Sequence, residues 1–577
     1  MENLNSIIDT IYKNRDEFIL LGLTGRIGSG CTTAAKFLSQ TKDQHNLKEV
    51  CINDDSSDAQ RKKYILWKFY RKKWKPFEVI TMSDIITIFI FKYSYKNLKK
   101  IIEEFNTEIK NQKIKRFKNF DEINFTKLIN EKDYENLRKE YINLLTEIKE
   151  KRTIKEKLKN FWKASKKFKD SLQKQNYKNY TDLYQLCGDN IRLYGDIKIN
   201  EKNKKAKNIY TIADITNKII KIYRKETKPT YIVLDAIRNI LEAYFFKERY
   251  SAFYLIAIDA PNEDIKNRLS QINPSLSKKQ IEKMLSQEDK ELETKSLEDF
   301  ISQNIKSCIV NSDIFIRNEG KNINDDASKL ELYGNLIKYV SLIQHPGLIT
   351  PSNDEKMMQI AFTAKLNSGC ISRQVGACVT NKYGSIKAIG WNDVAEGQTS
   401  CVLRSASELL KNSISKAYSH YEKTLEFKEF LKKEYVDIKN IYEKGLNDSY
   451  CFKTIYTRNK EKQKNNQVHT RALHAEENAF LQLAKYGSGE SIIGGTLYTT
   501  ASPCELCSKK AYQLGISRIV YIDPYPGIAK ENILYSGLNP PKVEFFNGAI
   551  GTAYHKLYTQ IIPYKDEINS LKEIING

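Results

Sequence analysis

The sequence predicts an α/β protein of two domains. A phosphate-loop parallel-sheet domain with a helical insertion occupies residues 1–345, and a three-layer αβα domain occupies residues 350–577. Three observations predict it. An apolar run from Phe18 to Leu23 enters a glycine-rich loop and then a helical pattern. Further apolar runs alternate with helical stretches downstream, the rhythm of a parallel sheet. From Leu473 onward, a helix opening on His474-Ala475-Glu476, an extended run and a helix opening on Pro503-Cys504-Glu505-Leu506-Cys507 follow one another.

The 577 residues suffice for roughly two to four domains with their own cores, and 41% apolar content supports globular packing. A net charge of +23 favours anionic partners, whether nucleotides, RNA or an acidic surface, although a lysine-rich solvated surface gives the same number. The ten cysteines are scattered, and Met1-Glu2-Asn3-Leu4 has neither the basic start nor the apolar core of a secretion signal. A cytoplasmic, reducing compartment with cysteines used for metal is expected. The most apolar run, Ile85 to Phe91, is too short to cross a bilayer, so no membrane association is expected.

In chain order, Thr24-Gly25-Arg26-Ile27-Gly28-Ser29-Gly30-Cys31-Thr32 matches G-x-x-x-x-G-K-[ST] at Gly25, Gly30 and Thr32, with Cys31 where the lysine belongs. Loop amides, including those of Arg26, Gly28 and Ser29, and the helix N-terminus still suit phosphate, and Thr32 still suits Mg2+. The point charge that steadies a transferring phosphoryl group is missing. Thr230 to Asp235 reads as a strand ending in a magnesium-holding carboxylate, Asp235, with Arg238 close behind. Phe253 to Ile258 and Ser312 to Asn318 supply further strands. This P-loop NTPase-like segment resembles a nucleoside monophosphate kinase, and the expectation is nucleotide binding with weak or absent phosphoryl transfer.

Residues 95 to about 180 are rich in Lys, Glu, Asn and Tyr and read as an inserted helical arm. Lys151 to Lys178 carries eleven basic side chains among Phe161, Trp162, Phe168 and Tyr177, a composition that suits stacking on single-stranded RNA. Ile154, Leu158, Phe161, Phe168 and Leu172 nevertheless recur at helical spacing, which favours an amphipathic helix with a solvated basic face. Leu186 to Arg192 reads as a polar loop or a capped helix end. His345-Pro346-Gly347-Leu348-Ile349-Thr350-Pro351 concentrates turn formers and marks the domain boundary. A helix from about Asn353 and a hairpin, Ala377 to Thr380 and Ile386 to Trp391, open the second domain.

His474, Cys504 and Cys507 have the chemistry of a zinc site: one imidazole and two thiolates fill three tetrahedral corners, and a water at the fourth falls to a pKa of about 7. Glu476, on the helix that begins after His474, is then free for proton transfer and is not a ligand. Both halves of the site, His474 and the Cys504–Cys507 pair, should open helices, whose N-termini favour thiolate and hydroxide. A structural zinc knuckle is the alternative, and the His-x-Glu, the proline before Cys504 and the intervening strand argue against it.

These elements form H-A-E…P-C-x-x-C, the signature of zinc-dependent nucleobase deaminases. With the S-x-C-x-x-R-x-V-G-A run at Ser368 to Ala377, Gly390-Trp391-Asn392, and Tyr521-Ile522-Asp523-Pro524-Tyr525, residues from about 350 resemble the deoxycytidylate deaminase family. The whole chain is similar to bacterial antiviral dCTP/dCMP deaminases of the AvcD type. The resemblance implies a cytidine-deaminase-like three-layer αβα fold and hydrolysis of dCMP or dCTP to the uracil nucleotide in antiphage defence. It also implies an inhibitory RNA and a homo-oligomer. By family position, Asn392 would bond the sugar, Ala501 and Ser502 would lie against the base, and Asp523 and Tyr525 would flank the nucleotide or an effector. A second, structural zinc would draw on Cys370, Cys401, Cys451 and His469, although a helical insertion at about 402–449 separates these positions. Two rival readings are an RNA or single-stranded DNA cytidine deaminase and a nucleotide kinase with an inactive deaminase.

Overall fold

The computed structural model describes residues 4–111, 120–274, 276–288, 300–320, 326–411, 414–435, 438–460, 469–487, 489–524 and 528–572. The chain divides into two compact units: one of the residues up to Thr350 together with those from His555 onward, the other of Pro351–Tyr554. The return is built from specific contacts. The Gly347 amide donates to Leu557 O at 2.9 Å, and Glu567 meets both Tyr12 and His345.

In the first unit, five strands pair in parallel in the order β5-β4-β1-β3-β2: β1 (Phe18–Thr24), β2 (Glu78–Thr81), β3 (Thr230–Asp235), β4 (Phe253–Asp259) and β5 (Ile314–Arg317). Every residue of β1 and β3 is buried, as expected for strands covered on both faces. β1 runs through the glycine loop into helix α1 (Cys31–Leu38), whose cap Gly30 has φ 115°, a conformation that disfavours any side chain.

The apolar run Ile85 to Phe91 forms helix α2 (Met82–Phe91), buried along its length apart from Ser83. The described residues of 95–180 do not project as an arm. Their helices share one core with the sheet, in which Phe105, Tyr134, Phe161 and Phe168 join Leu20 and Ile232. Helix α3 (Lys155–Gln175) buries Leu158, Phe161, Phe168 and Leu172 as their spacing predicts, whereas Ile154 precedes the helix and is exposed. Of the two readings of Leu186 to Arg192, the capped helix end holds: these residues form the last turns of helix α4 (Tyr177–Tyr194), capped by Gly195 at φ 74°. Leu183, Leu186, Cys187 and Ile191 recur at helical spacing there and are fully buried. Arg192 is held by Glu242 at 2.8 Å and Asp189 at 3.3 Å. Helix α5 (Lys278–Glu288) ends with Glu288 accepting from the Ile27 amide of the glycine loop.

The second unit opens with helix α6 (Asn353–Ala364), whose cap Ser352 forms a reciprocal pair with Glu355. Five strands follow in the order β12-β11-β10-β6-β7: β6 (Gly376–Thr380), β7 (Ile386–Trp391), β10 (Thr496–Ala501), β11 (Arg518–Asp523) and β12 (Lys542–Phe545). A two-stranded ribbon, β8 (Asp393–Val394) and β9 (Ala472–Leu473), lies between in sequence. β11 is therefore not the last strand, because β12 pairs alongside it in parallel.

Alternation along β6 separates the layers. A side chain at Gly376 would strike Ala361 O of α6 at 2.0 Å. Ala377 and Val379 point the other way and pack with Ala475 and Ala479 of helix α7 (Ala475–Lys485) and Ala511 of helix α8 (Glu505–Gln513). The result is helix, sheet, helices. Residues 402–449 carry short helices, including Leu425–Glu434, around a small core of Leu409, Tyr418, Phe427, Leu431 and Tyr450.

Candidate active site

His474 caps α7 and Cys504 caps α8, so both leave the backbone extended immediately before a helix N-terminus. β9 ends at Leu473 beside the first; β10 delivers the second through Ala501-Ser502-Pro503. The close approach of α7 to the sheet requires Gly390, where a Cβ would lie 2.2 Å from Ala475 O. Asn478 ties the first turn of α7 to Trp391 O at 3.0 Å, and an ion pair between Glu477 and Lys510 joins α7 to α8.

This framework brings His474, Cys504 and Cys507 together, with their ligand atoms within 4.8 Å of one another. Cys504 Sγ lies 3.3 Å and Cys507 Sγ 3.5 Å from His474 Nδ1. A hydrogen bond from the Cys507 thiol, followed by one from the imidazole, holds Cys504 well below the usual thiol range. The same hydrogen bond and burial push Cys507 upward. His474 is raised, chiefly by its hydrogen bond to Cys504. One borderline nitrogen and two soft sulfurs converging at two helix N-termini suit zinc.

Glu476 is 3% exposed, and burial raises its carboxyl above the usual range. Thr499 donates to Glu476 Oε1 at 3.2 Å and to Ala501 O at 2.7 Å. Thr499 is a site residue that sequence reading missed, because a threonine within a strand reads only as a strand former. The Arg373–Asp523 ion pair was missed as well.

Ala501, Ser502 and Asp523 are buried, and the Ser502 amide donates to Asp523 O at 2.8 Å. Asn392 uses both ends of its amide on main chain: Oδ1 accepts from the Val375 amide at 2.6 Å and Nδ2 donates to Arg373 O at 2.7 Å. Tyr525 lies outside the described residues. Among the described residues, Cys370, Cys401, Cys451 and His469 do not converge as the first set does. Cys401 feels the charges of Cys370 and Cys451 and is pushed up to about 11, mainly by burial, while His469 lies against the Tyr456 ring. In the first unit, Thr32 Oγ1 donates to Asp235 Oδ2 at 3.2 Å, Ser29 lies against Cys31, and Arg26 pairs with Asp259.

A histidine and two cysteines opening paired helices, with a buried glutamate beside them, define the class of hydrolytic deaminases. The family profile described as the cytidine and deoxycytidylate deaminase zinc-binding region matches residues 351–523. The deoxycytidylate deaminase of Enterobacteria phage T2 is 31% identical over 173 residues, 29% of this chain and 79% of its own. The Schizosaccharomyces pombe deoxycytidylate deaminase is 29% identical over 202 residues, 35% of this chain and 46% of its own. A crystal structure of the cyanophage S-TIM5 dCMP deaminase with dCMP and dUMP is 26% identical, covering 34% of this chain and 99% of that one, at a TM-score of 0.21. The chain belongs to the deoxycytidylate deaminase family, and it is a hydrolase of C–N bonds.

Proposed function

We propose that the protein deaminates a deoxycytidine nucleotide, dCMP or dCTP, to the deoxyuridine nucleotide and ammonia. The observation that carries this reading is the convergence of His474 Nδ1, Cys504 Sγ and Cys507 Sγ beside the buried Glu476. Zinc bound by those three would supply the Lewis acidity that brings the pKa of a water near 7. Glu476 takes the proton of the attacking water and delivers it to ring N3 as C4 gains the oxygen. It then takes the remaining proton from the C4 hydroxyl and passes it to the exocyclic nitrogen, which leaves as ammonia as the C4 carbonyl forms. A carboxyl raised by burial suits a group that must return the proton it accepts. Thr499 fixes the orientation of Glu476.

Ala501, Ser502 and Asp523 line the place of the nucleotide in this reading. Asn392, oriented by its bonds to Arg373 O and the Val375 amide, keeps a second Nδ2 hydrogen and a second Oδ1 lone pair for the sugar. Residues 18–38, with Asp235, bind a nucleotide and Mg2+ in a regulatory role without efficient phosphoryl transfer. The fusion of that loop to a deaminase supports an AvcD-type role in the cytoplasm: depletion of the deoxycytidine nucleotide pool against phage, under control of an inhibitory RNA and in a homo-oligomer. Polynucleotide editing has less support, because Phe161 and Phe168 are in the core and offer no stacking surface. Cys31 weighs against the kinase reading.

Incubation with dCMP, dCTP, CMP and a cytosine-containing oligonucleotide, with uracil products resolved by chromatography, tests the proposal. Conversion of dCMP or dCTP is expected. Conversion of the oligonucleotide alone would reject it.

A further inference from the structure

The glycine loop of the first unit takes no part in deamination, and it already holds an anion. The Ile27 amide donates to Glu288 Oε2 at 2.9 Å, and Arg238 donates to Glu288 Oε1 at 3.0 Å. A carboxylate at the end of α5 therefore takes one loop amide and one guanidinium, partners that a phosphate oxygen would take at such a loop. The Glu288 side chain is only 9% exposed.

The surrounding loop admits close approach. A Cβ on Gly25 would lie 2.3 Å from Ile258 O, and one on Gly30 would lie 2.3 Å from Asn318 Nδ2. The loop peptides are fixed from outside: Asn318 Nδ2 donates to Ser29 O at 2.7 Å and Arg268 donates to Gly28 O at 3.3 Å. Thr32 and Asp235 are hydrogen-bonded at the mouth of α1, where a hydroxyl and a carboxylate would hold the magnesium of a bound polyphosphate.

Cys31 contributes no charge, since burial pushes its thiol up to about 12. Arg26 is engaged with Asp259 and Ala260 O, and Lys169 with Asp84. Arg238 is the cation that meets the carboxylate in the loop, and it also feels the charge of Asp235.

We propose that residues 25–32 and Arg238 bind a triphosphate group, with Arg238 supplying the positive charge that Cys31 lacks, and that Glu288 is a built-in competitor displaced by the ligand. The proposal rests on the phosphate-loop reading of residues 25–32. Occupancy of the site is then set by competition between an internal carboxylate and an external polyphosphate for the same donors.

Calorimetric titration of the full-length protein with magnesium ATP and with magnesium tripolyphosphate separates a nucleotide from a free polyphosphate. The wild type should bind one or both. Glu288→Gln should bind about tenfold more tightly and Arg238→Ala about tenfold more weakly. Glu282→Gln, on the same helix with its side chain 64% exposed, should match the wild type. Hydrogen exchange of the wild type, which requires no variant, should show residues 278–288 losing protection when ligand is added. Equal affinity of the wild type and Glu288→Gln, with unchanged exchange, would overturn the competitor and leave phosphate binding standing. Failure of every form, Glu288→Gln included, to bind either probe would overturn both.

Discussion

Glu476 lies two residues beyond His474 on the first turn of α7, so the proposed proton carrier and a proposed metal ligand share one helix end. Glu476→Gln preserves shape and hydrogen bonding to Thr499 while removing the proton acceptor. It should lower kcat by about 10²–10⁴-fold with zinc content unchanged, measured by steady-state kinetics alongside metal analysis. Thr499→Val removes the bond that aims the Glu476 carboxylate and leaves Ala501 O without that donor. A cost of about 1–3 kcal/mol is expected, read as a roughly tenfold or greater fall in kcat together with a lower Tm. Sequence alone gave His474, Glu476, Cys504 and Cys507, because metal ligands and a proton carrier need particular residue types at a particular spacing. It could not give Thr499, because its role depends on which residue β10 places opposite the start of α7. Nor could it show that the Asn392 amide is oriented by the Arg373–Val375 main chain.

At the level of elements, apolar runs located most strands of both units, though not β2 or β12, and apolar periodicity located the buried face of α3, because burial demands it whatever the function. It left α4 open between a loop and a capped helix end. Asp189, Asn190 and Arg192 each find an internal partner, so the helix continues through them to its Gly195 cap. The helical insertion 402–449 contains another such case. Arg404 is fully buried against Glu422 and the hydroxyl of Tyr450, and it lies over the rings of Tyr418 and Tyr450. Arg404→Met would strand the Glu422 charge and should cost about 3–5 kcal/mol in chemical denaturation. The double variant Arg404→Met, Glu422→Leu should recover most of that loss, since it removes both charges.

At the level of the whole molecule, a metal held from two helices would couple its binding to folding. Cys504 Sγ and Cys507 Sγ lie 3.3 Å and 3.5 Å from His474 Nδ1, and metal binding would require both as thiolates. Chelation should therefore abolish turnover and lower the Tm, and zinc, but not magnesium, should restore both; activity assays and differential scanning fluorimetry check this. The division into two units was only partly legible. The turn-rich stretch ending at Pro351 announces the first crossing, but nothing in composition shows that residues from His555 rejoin the first unit, because that depends on contacts such as those of Tyr12 and His345 with Glu567. Synthesis runs from the amino end, so the ribosome delivers the whole of 351–554 before those closing contacts exist. The deaminase unit can mature while its host is still missing its last helix, and truncation after Tyr554 should injure the glycine-loop unit more than the catalytic one.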